Sequence, residues 1–335
     1  YVDHLFEDQS FTWATSKFMH WFYKPFWAIF TRSEDYVDAL ENLGLDRERC
    51  LSLQPGVDTV TFNARFRDPA YFPRLGAEGS LTKTAGTKDT VRVLYVGRVS
   101  IEKNLPLLVK VWKQVDKRCK DRGLDAELVI VGDGPYRKEM ERELKGTSTR
   151  FLGFRHGEEL STIYASCDAF AFPSTTDTLG QVVMEAEASG LPVLVTDKGG
   201  PQEVVQHGTT GFVLPSADIK PWIEKLETLI AANATRRSMG EKAYDAMQPM
   251  SLENSFEHFW QVHLDAWHRH LAEIDIRPIE GGSVPAKKPS PSGVREERQW
   301  AMGGDTRAVP PTFRSVLLLP LPSGERAGVR GLPSS

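Results

Sequence analysis

The chain has 335 residues, 40% of them hydrophobic, which is enough to bury a sizeable core in one or two domains. A formal net charge of -4 excludes a general electrostatic attraction to nucleic acid. Cys50, Cys119 and Cys167 are odd in number and far apart, so they suit neither a disulfide framework nor a paired metal motif, and a reducing, cytoplasmic compartment is expected.

No apolar run reaches the length of a membrane span. The sequence starts at Tyr1, with neither Met nor a signal-type apolar segment, so it is expected to be a piece of something longer. Residues 1–30 are rich in aromatics, among them Phe11, Trp13, Phe18, Trp21, Phe22, Phe26 and Trp27, interrupted by Lys17, His20, Lys24 and Pro25. This pattern fits an interfacial helix on a lipid surface, and fits better a helix half-buried in a core. Residues 31–62 predict a strand end, a helix capped by Ser33 and ending at Gly44, a short strand and a loop. The polar stretch 63–90, with Pro69 and Pro73, predicts a linker.

A regular alternation of strands and helices then begins. Strands are expected at 91–97, 126–132, 149–152, 168–172, 191–196 and 211–214, with helices between them. This spacing predicts a doubly wound parallel sheet of the α/β class. Two helices follow within 218–247, then one long amphipathic helix at 251–274. From Arg277 the chain is rich in Pro, Gly, Ser and Arg and predicts a disordered tail.

The residues with chemistry gather at predicted strand ends, where open α/β sheets bind ligands. Asp177 lies in the loop before a helix that opens at Gly180, and Glu185 lies about two turns further on. Thr175, Thr176 and the amides of Leu179 and Gly180 could bond a ligand there, although a local hydroxyl turn explains the threonines as well. After the first strand come Gly97, Arg98, Glu102 and Lys103, where a fork of donors and a mobile cation could meet a diphosphate. The competing reading is a surface salt bridge among Arg98, Glu102 and Lys103. Gly132 and Gly134 flank Asp133 at the second strand's end and are expected to allow close backbone approach to a nucleotide. The turn lacks the spacing of a dinucleotide fingerprint. The eight histidines show no metal-ligand spacing.

These elements together resemble the retaining GT-B glycosyltransferases of family 4. Asp177, seven residues, Glu185, then Ala-x-Ala-Ser-Gly-x-Pro-Val is similar to that family's E-x7-E signature, with Asp in the first place. The surrounding wording most resembles the branch of GDP-mannose-dependent mannosyltransferases and sulfoquinovosyl transferases. Gly97 to Asn104 resembles the family's G-R-x-x-x-E-K-N element, and Gly132 to Pro135 its G-D-G-P turn. Gly199 to Glu203 resembles its Gly-Gly-x-x-Glu loop, and Gly56 to Phe62 the loop closing its first domain.

The resemblance implies that Arg98 and Lys103 hold the donor diphosphate, Asp177 contacts the transferred sugar and Glu185 grips the ribose. Gly153, Phe154 and Arg155 stand where the base is read, Gly153 and Phe154 being the candidates, and Glu203 is a further donor-side candidate. It implies these divisions: 1–62 a remnant of the acceptor-side domain, 63–90 a linker, 91–250 the nucleotide-sugar domain, 251–276 a closing helix packed back on the first domain, and 277–335 the tail. The implied reaction moves a hexosyl unit from GDP-mannose or a UDP-sugar to an acceptor hydroxyl with retention. No cofactor and no metal are expected, since two cations already face the diphosphate. The aromatic first thirty residues favour a lipid over a glycan acceptor, a place in glycolipid synthesis and peripheral contact with a membrane. The alternatives are a non-catalytic nucleotide-sugar-binding fragment and a GT-B-like epimerase acting on nucleotide sugars.

Overall fold

The computed structural model describes residues 9–31, 34–82 and 89–273; the side chains of 9–14, 34 and 35 fall outside that description. The helix cap expected at Ser33 and the tail expected at 277–335 lie outside the described residues. The chain begins with helix α1 (Gln9–Tyr23), strand β1 (Ile29–Thr31), helix α2 (Glu34–Asn42) and strand β2 (Cys50–Ser52). β1 and β2 pair in parallel, and a small core of Ile29, Val37, Leu40, Leu45 and Cys50 fills the space under α2.

Residues 63–82 differ from the expected linker, because they are folded onto the larger domain. Helix α3 (Tyr71–Leu75) buries Phe72 in the main core. Leu81 donates its amide to the Thr149 carbonyl, and Phe151 donates to that of Gly79. Their attachment is a charged core that apolar patterning cannot reveal. Arg92, Glu127 and Arg150 are all buried, at neighbouring positions near the amino ends of three strands. Arg150 Nε donates to Glu127 at 2.9 Å and its Nη1 to the Gly76 carbonyl at 2.7 Å, while the Arg92 guanidinium lies 4.6 Å above the Phe72 ring.

The main sheet comprises β3 (Val91–Val96), β4 (Ala126–Val131), β5 (Thr149–Gly153), β6 (Ala169–Phe172), β7 (Val193–Thr196) and β8 (Gly211–Leu214). All pair in parallel, in the order β5-β4-β3-β6-β7-β8. Their near-continuous Val, Leu, Ile and Phe content reflects burial on both faces. The crossovers are helices α4 (Leu105–Asp121), α5 (Arg137–Glu143), α6 (Gly157–Ser166), α7 (Gln181–Ala188) and the short α8 (Pro201–Val204). The order reverses between β3 and β6, so the chain leaves those two strands in opposite directions and opens a crevice beyond their carboxyl ends.

Helices α9 (Ile219–Ala231) and α10 (Asn233–Met247) follow, then α11 (Leu252–Glu273). α11 runs back along the first segment. His263 stacks on Phe30 at 3.9 Å, Ser255 donates to the Gln54 carbonyl at 2.7 Å, and Trp27 donates to Glu273 at 2.7 Å. No helix among the described residues is long and apolar enough to cross a membrane.

Candidate functional site

The loop after β3 forms one wall of the crevice. Tyr95, wholly buried, donates its hydroxyl to the Arg98 carbonyl at 2.9 Å and stacks on Phe172 of β6, 5.9 Å away. The ring therefore spans the reversal point and supports the Arg98 peptide from below. Ile101–Lys103 makes one tight turn, and Asn104 takes a left-handed φ of 53°, the only non-glycine residue to do so among those described. Asn104 is held there by its side-chain bond to the Ser216 carbonyl at 3.0 Å. Such an over-determined backbone strain is common beside functional groups.

The loop after β6 forms the facing wall. Ser174 is buried, with its carbonyl bonded by Thr196 at 2.7 Å, and it forms the local hydroxyl turn expected of the threonines by accepting from the Thr176 amide at 3.4 Å. The Thr176 hydroxyl instead reaches the Glu102 carbonyl at 3.4 Å. Across the crevice Lys103 Nζ meets both oxygens of Asp177, at 3.0 and 2.9 Å, with each side chain about four-fifths buried at 19% and 25% exposure. Arg98 stands at the mouth, 64% exposed, 3.7 Å from Glu102. The surface pair offered by the competing reading thus exists, but it leaves the Arg98 fork open to solvent and takes no part in holding Lys103.

The Asp177 loop is clamped by the loop after β7. Gly200 donates its amide to the Asp177 carbonyl at 2.8 Å, and a Cβ on Gly200 would stand 2.1 Å from the Thr178 carbonyl oxygen. Gly180, with φ of 75°, starts α7 beneath Pro201. Leu179 is half-buried beside it, Thr175 likewise, and Glu203 is exposed in α8.

The close approach at Gly132 and Gly134 is to protein backbone: a Cβ on Gly132 would lie 2.0 Å from the Gly97 carbonyl oxygen, and one on Gly134 would lie 2.4 Å from that of Val99. Glycine is needed there because the loops after β3 and β4 stack main chain on main chain. Gly132 donates in turn to the Gly153 carbonyl at 2.8 Å, so the three strand ends form one backbone ladder. Phe154, next along, is 73% exposed at the rim, near His156, and Arg155 pairs with Glu159 at 3.0 Å.

Glu185 sits on α7 and contacts neither Lys103 nor Asp177; its partner is Tyr164 of α6, whose hydroxyl donates to Oε2 at 3.0 Å. Burial pushes the carboxyl up to about 7, against the opposing pull of that hydrogen bond. The structure thus joins Arg98, Glu102, Lys103, Thr176 and Asp177 directly, joins the glycines through the backbone, and connects Glu185 through tyrosine. Tyr95 and Tyr164 escape a reading of the sequence. Their signal is a tyrosine inside an apolar element, since a buried hydroxyl must find a partner.

Fold and site define an α/β class of domain with a crevice at the sheet's reversal point that carries Arg98 and Lys103. Residues 82–246 match the family model of glycosyl transferases group 1, and this domain belongs to that family. Among curated relatives, the sulfoquinovosyl transferase SQD2 of Arabidopsis thaliana is 37% identical over 191 residues, 56% of this chain and 34% of that protein. A D-inositol 3-phosphate glycosyltransferase of Corynebacterium aurimucosum is 33% identical over 263 residues, 76% of this chain and 60% of that protein. The chain therefore spans about a third to three-fifths of the length of these relatives. Among solved structures, HepE of Anabaena in complex with UDP and glucose aligns with a TM-score of 0.59 at 20% identity, over 71% of this chain and 63% of that one. Sucrose-phosphate synthase of Thermosynechococcus elongatus gives a TM-score of 0.59 at 20% identity, over 72% and 59%. The fold is thus GT-B-like, as the sequence predicted.

Proposed function

We propose that residues 91–250 bind a nucleoside-diphosphate sugar, and that the protein transfers its hexosyl unit to an acceptor hydroxyl with retention of configuration. The observation that carries this reading is the Lys103–Asp177 pair bridging the crevice, with the open Arg98 fork beside it. As the glycosyl bond breaks, charge grows on the leaving diphosphate, and Arg98 with Lys103 would stabilise it there. Asp177 would then be shared between Lys103 and the sugar hydroxyls, and Glu185 would accept from the ribose diol. Gly97, Gly153, Phe154, Thr175, Leu179, Gly180 and Glu203 would shape the rest of the donor site, with Gly132 and Gly134 acting through the loop they support. Retention would follow from the acceptor attacking on the face from which the diphosphate leaves. GDP-mannose suits the mannosyltransferase among the relatives, a GDP-mannose-dependent enzyme of Corynebacterium glutamicum that is 31% identical over 159 residues.

Residues 1–62 and the closing helix would belong to the acceptor side. On α1 and in the turn after it, Phe18, Trp21, Phe22 and Phe26 are 44–69% exposed, beside Lys17 and Lys24, which supports an acceptor at a lipid surface.

The test is a thermal-shift screen of GDP, UDP, ADP and their sugar conjugates, since a ligand of the folded state alone raises its melting point. One base should stabilise the chain, and Arg98→Ala and Glu185→Ala should abolish the shift. No shift with any nucleotide would end the donor-site reading. Binding of donor without turnover by a longer form of the protein would leave a non-catalytic binding module. Liposome flotation that shows no association would remove the lipid-surface acceptor.

A further inference from the structure

Burial works against the charge of Glu185, and one side chain offsets it. Tyr164 is wholly buried on α6, its ring held edge-on by Phe62 at 5.4 Å and against Phe170 at 5.8 Å. Phe62 comes from the 56–62 loop, which is fastened to α7 by the bond from Gln181 to the Gly56 carbonyl. The hydroxyl has little freedom. It donates to Glu185 Oε2 at 3.0 Å, and its other neighbour, the Val182 carbonyl, is at the 3.5 Å limit. Among the described residues Glu185 Oε1 accepts no hydrogen bond. No charged group of α6, α8, α10, β6 or β7 acts on the carboxyl; Tyr164 is the titratable group facing it, with Tyr95 of β3 behind Tyr164.

We propose that Tyr164 is a positioning residue, whose hydroxyl anchors one oxygen of Glu185 and keeps the carboxylate ionised, so that the other oxygen accepts from the ribose hydroxyls of the donor. The inference rests on the reading of Glu185 as the ribose acceptor. A diol brings two donors and needs an acceptor-only partner, which a carboxylate is and a carboxylic acid is not. Desolvation favours the acid, and the tyrosine bond favours the carboxylate. Nucleotide-sugar affinity in this protein should therefore rise with pH through the Glu185 titration near 7, and Tyr164 sets where that rise falls.

The experiment follows Glu185 by carbon-13 NMR of its side-chain carboxyl, and the affinity for GDP-mannose and UDP-glucose by calorimetry, between about pH 5.5 and 9. The diphosphate of a nucleotide sugar has no proton to exchange in this range, so the profile reports the protein. Wild type should titrate near 7 and bind more tightly above it. Tyr164→Phe keeps the ring and removes the donor. It should raise the midpoint by about one pH unit, and lower the affinity at neutral pH about fivefold with recovery at pH 9. Phe62→Leu loosens the ring but keeps the hydroxyl; it should move both readouts the same way by less, and serves if Tyr164→Phe does not fold. Glu185→Gln should bind weakly at every pH.

A Tyr164→Phe midpoint and profile superimposing on wild type, while Glu185→Gln still weakens binding, would sink the tyrosine's role alone. A Glu185→Gln protein that binds like wild type would sink the ribose reading and this proposal with it.

Discussion

Helix α7 carries a second carboxyl, Glu187, which no part of the proposed site uses and which is wholly buried. Thr210 faces it and slightly favours its charge, but that hydroxyl already accepts from the Gln206 amide, and neither carboxyl oxygen completes a hydrogen bond. Burial pushes the group from the ordinary 4.5 up to about 8. Between those values the folded chain holds a proton that the unfolded chain has released, so stability falls as pH rises through the window and levels off above it. One proton corresponds to about 1.4 kcal/mol per pH unit, so the rise from 4.5 to about 8 sets a ceiling of about 5 kcal/mol, and relaxation with entry of water brings about 2–3 kcal/mol into view. Glu187→Met replaces the carboxyl with an unbranched apolar chain of similar length. At pH 8 the variant should melt about 5–10 °C above wild type, and the gap should close towards pH 5. Glu185 contributes a slope of the same sign up to about 7, which Glu187→Met retains and the Glu185→Gln double variant removes. Circular-dichroism melts across pH 5–8.5 decide the matter. A melting-point gap that stays constant with pH, or a less stable Met variant at pH 8, would refute the reasoning.

Lys103→Ala should weaken nucleoside-diphosphate binding by roughly 10- to 100-fold, the worth of a charge-assisted hydrogen bond, while changing the melting point little; unchanged affinity in calorimetry would remove Lys103 from the site. Gly132→Ala should cost more than about 2 kcal/mol and erase nucleotide-induced stabilisation, because its Cβ would enter the Gly97 carbonyl at 2.0 Å. Gly146→Ala is the control, with a φ of 87° and open space around it; it should cost only about 1 kcal/mol by urea unfolding, and equal losses would refute the close-approach argument. Arg150→Met should lose about 3–5 kcal/mol, since it removes the hydrogen-bonded partner of Glu127, leaves that buried carboxylate only Arg92 at 3.4 Å, and releases Gly76; a loss below about 1 kcal/mol would show that the cluster is not cohesive.

The alternation of buried strands and amphipathic helices from Val91 to Leu214 is local information, set by side-chain hydrophobicity and period, and every strand of the sheet is legible in it. The turn chemistry at Gly97 and Gly132 marks strand ends in the same way, and that at Gly180 marks a helix start. The linker expected at 63–90 reads from a polar stretch broken by proline, while the attachment of 63–82 depends on partners about 20 and 100 residues away: Phe72 beneath Arg92, and Arg67 donating to the Cys167 carbonyl at 2.7 Å. At Gly132 and Gly134 the sequence shows that a close approach is needed, and the structure shows that the backbone of Gly97 and Val99 makes one.

By itself, the sequence determined that a parallel α/β sheet would form, that Arg98, Lys103 and Asp177 would stand in loops after strands and before helices, and that Glu185 would stand inside the following helix, because those positions follow from local periodicity and spacing. Only the tertiary structure decided which of them meet. Lys103 and Asp177 are 74 residues apart and are brought to 2.9 Å by the reversal of strand order between β3 and β6. The partner of Glu185 is a buried tyrosine on another helix, because burial and pairing of charge depend on the three-dimensional neighbours that a linear pattern does not specify.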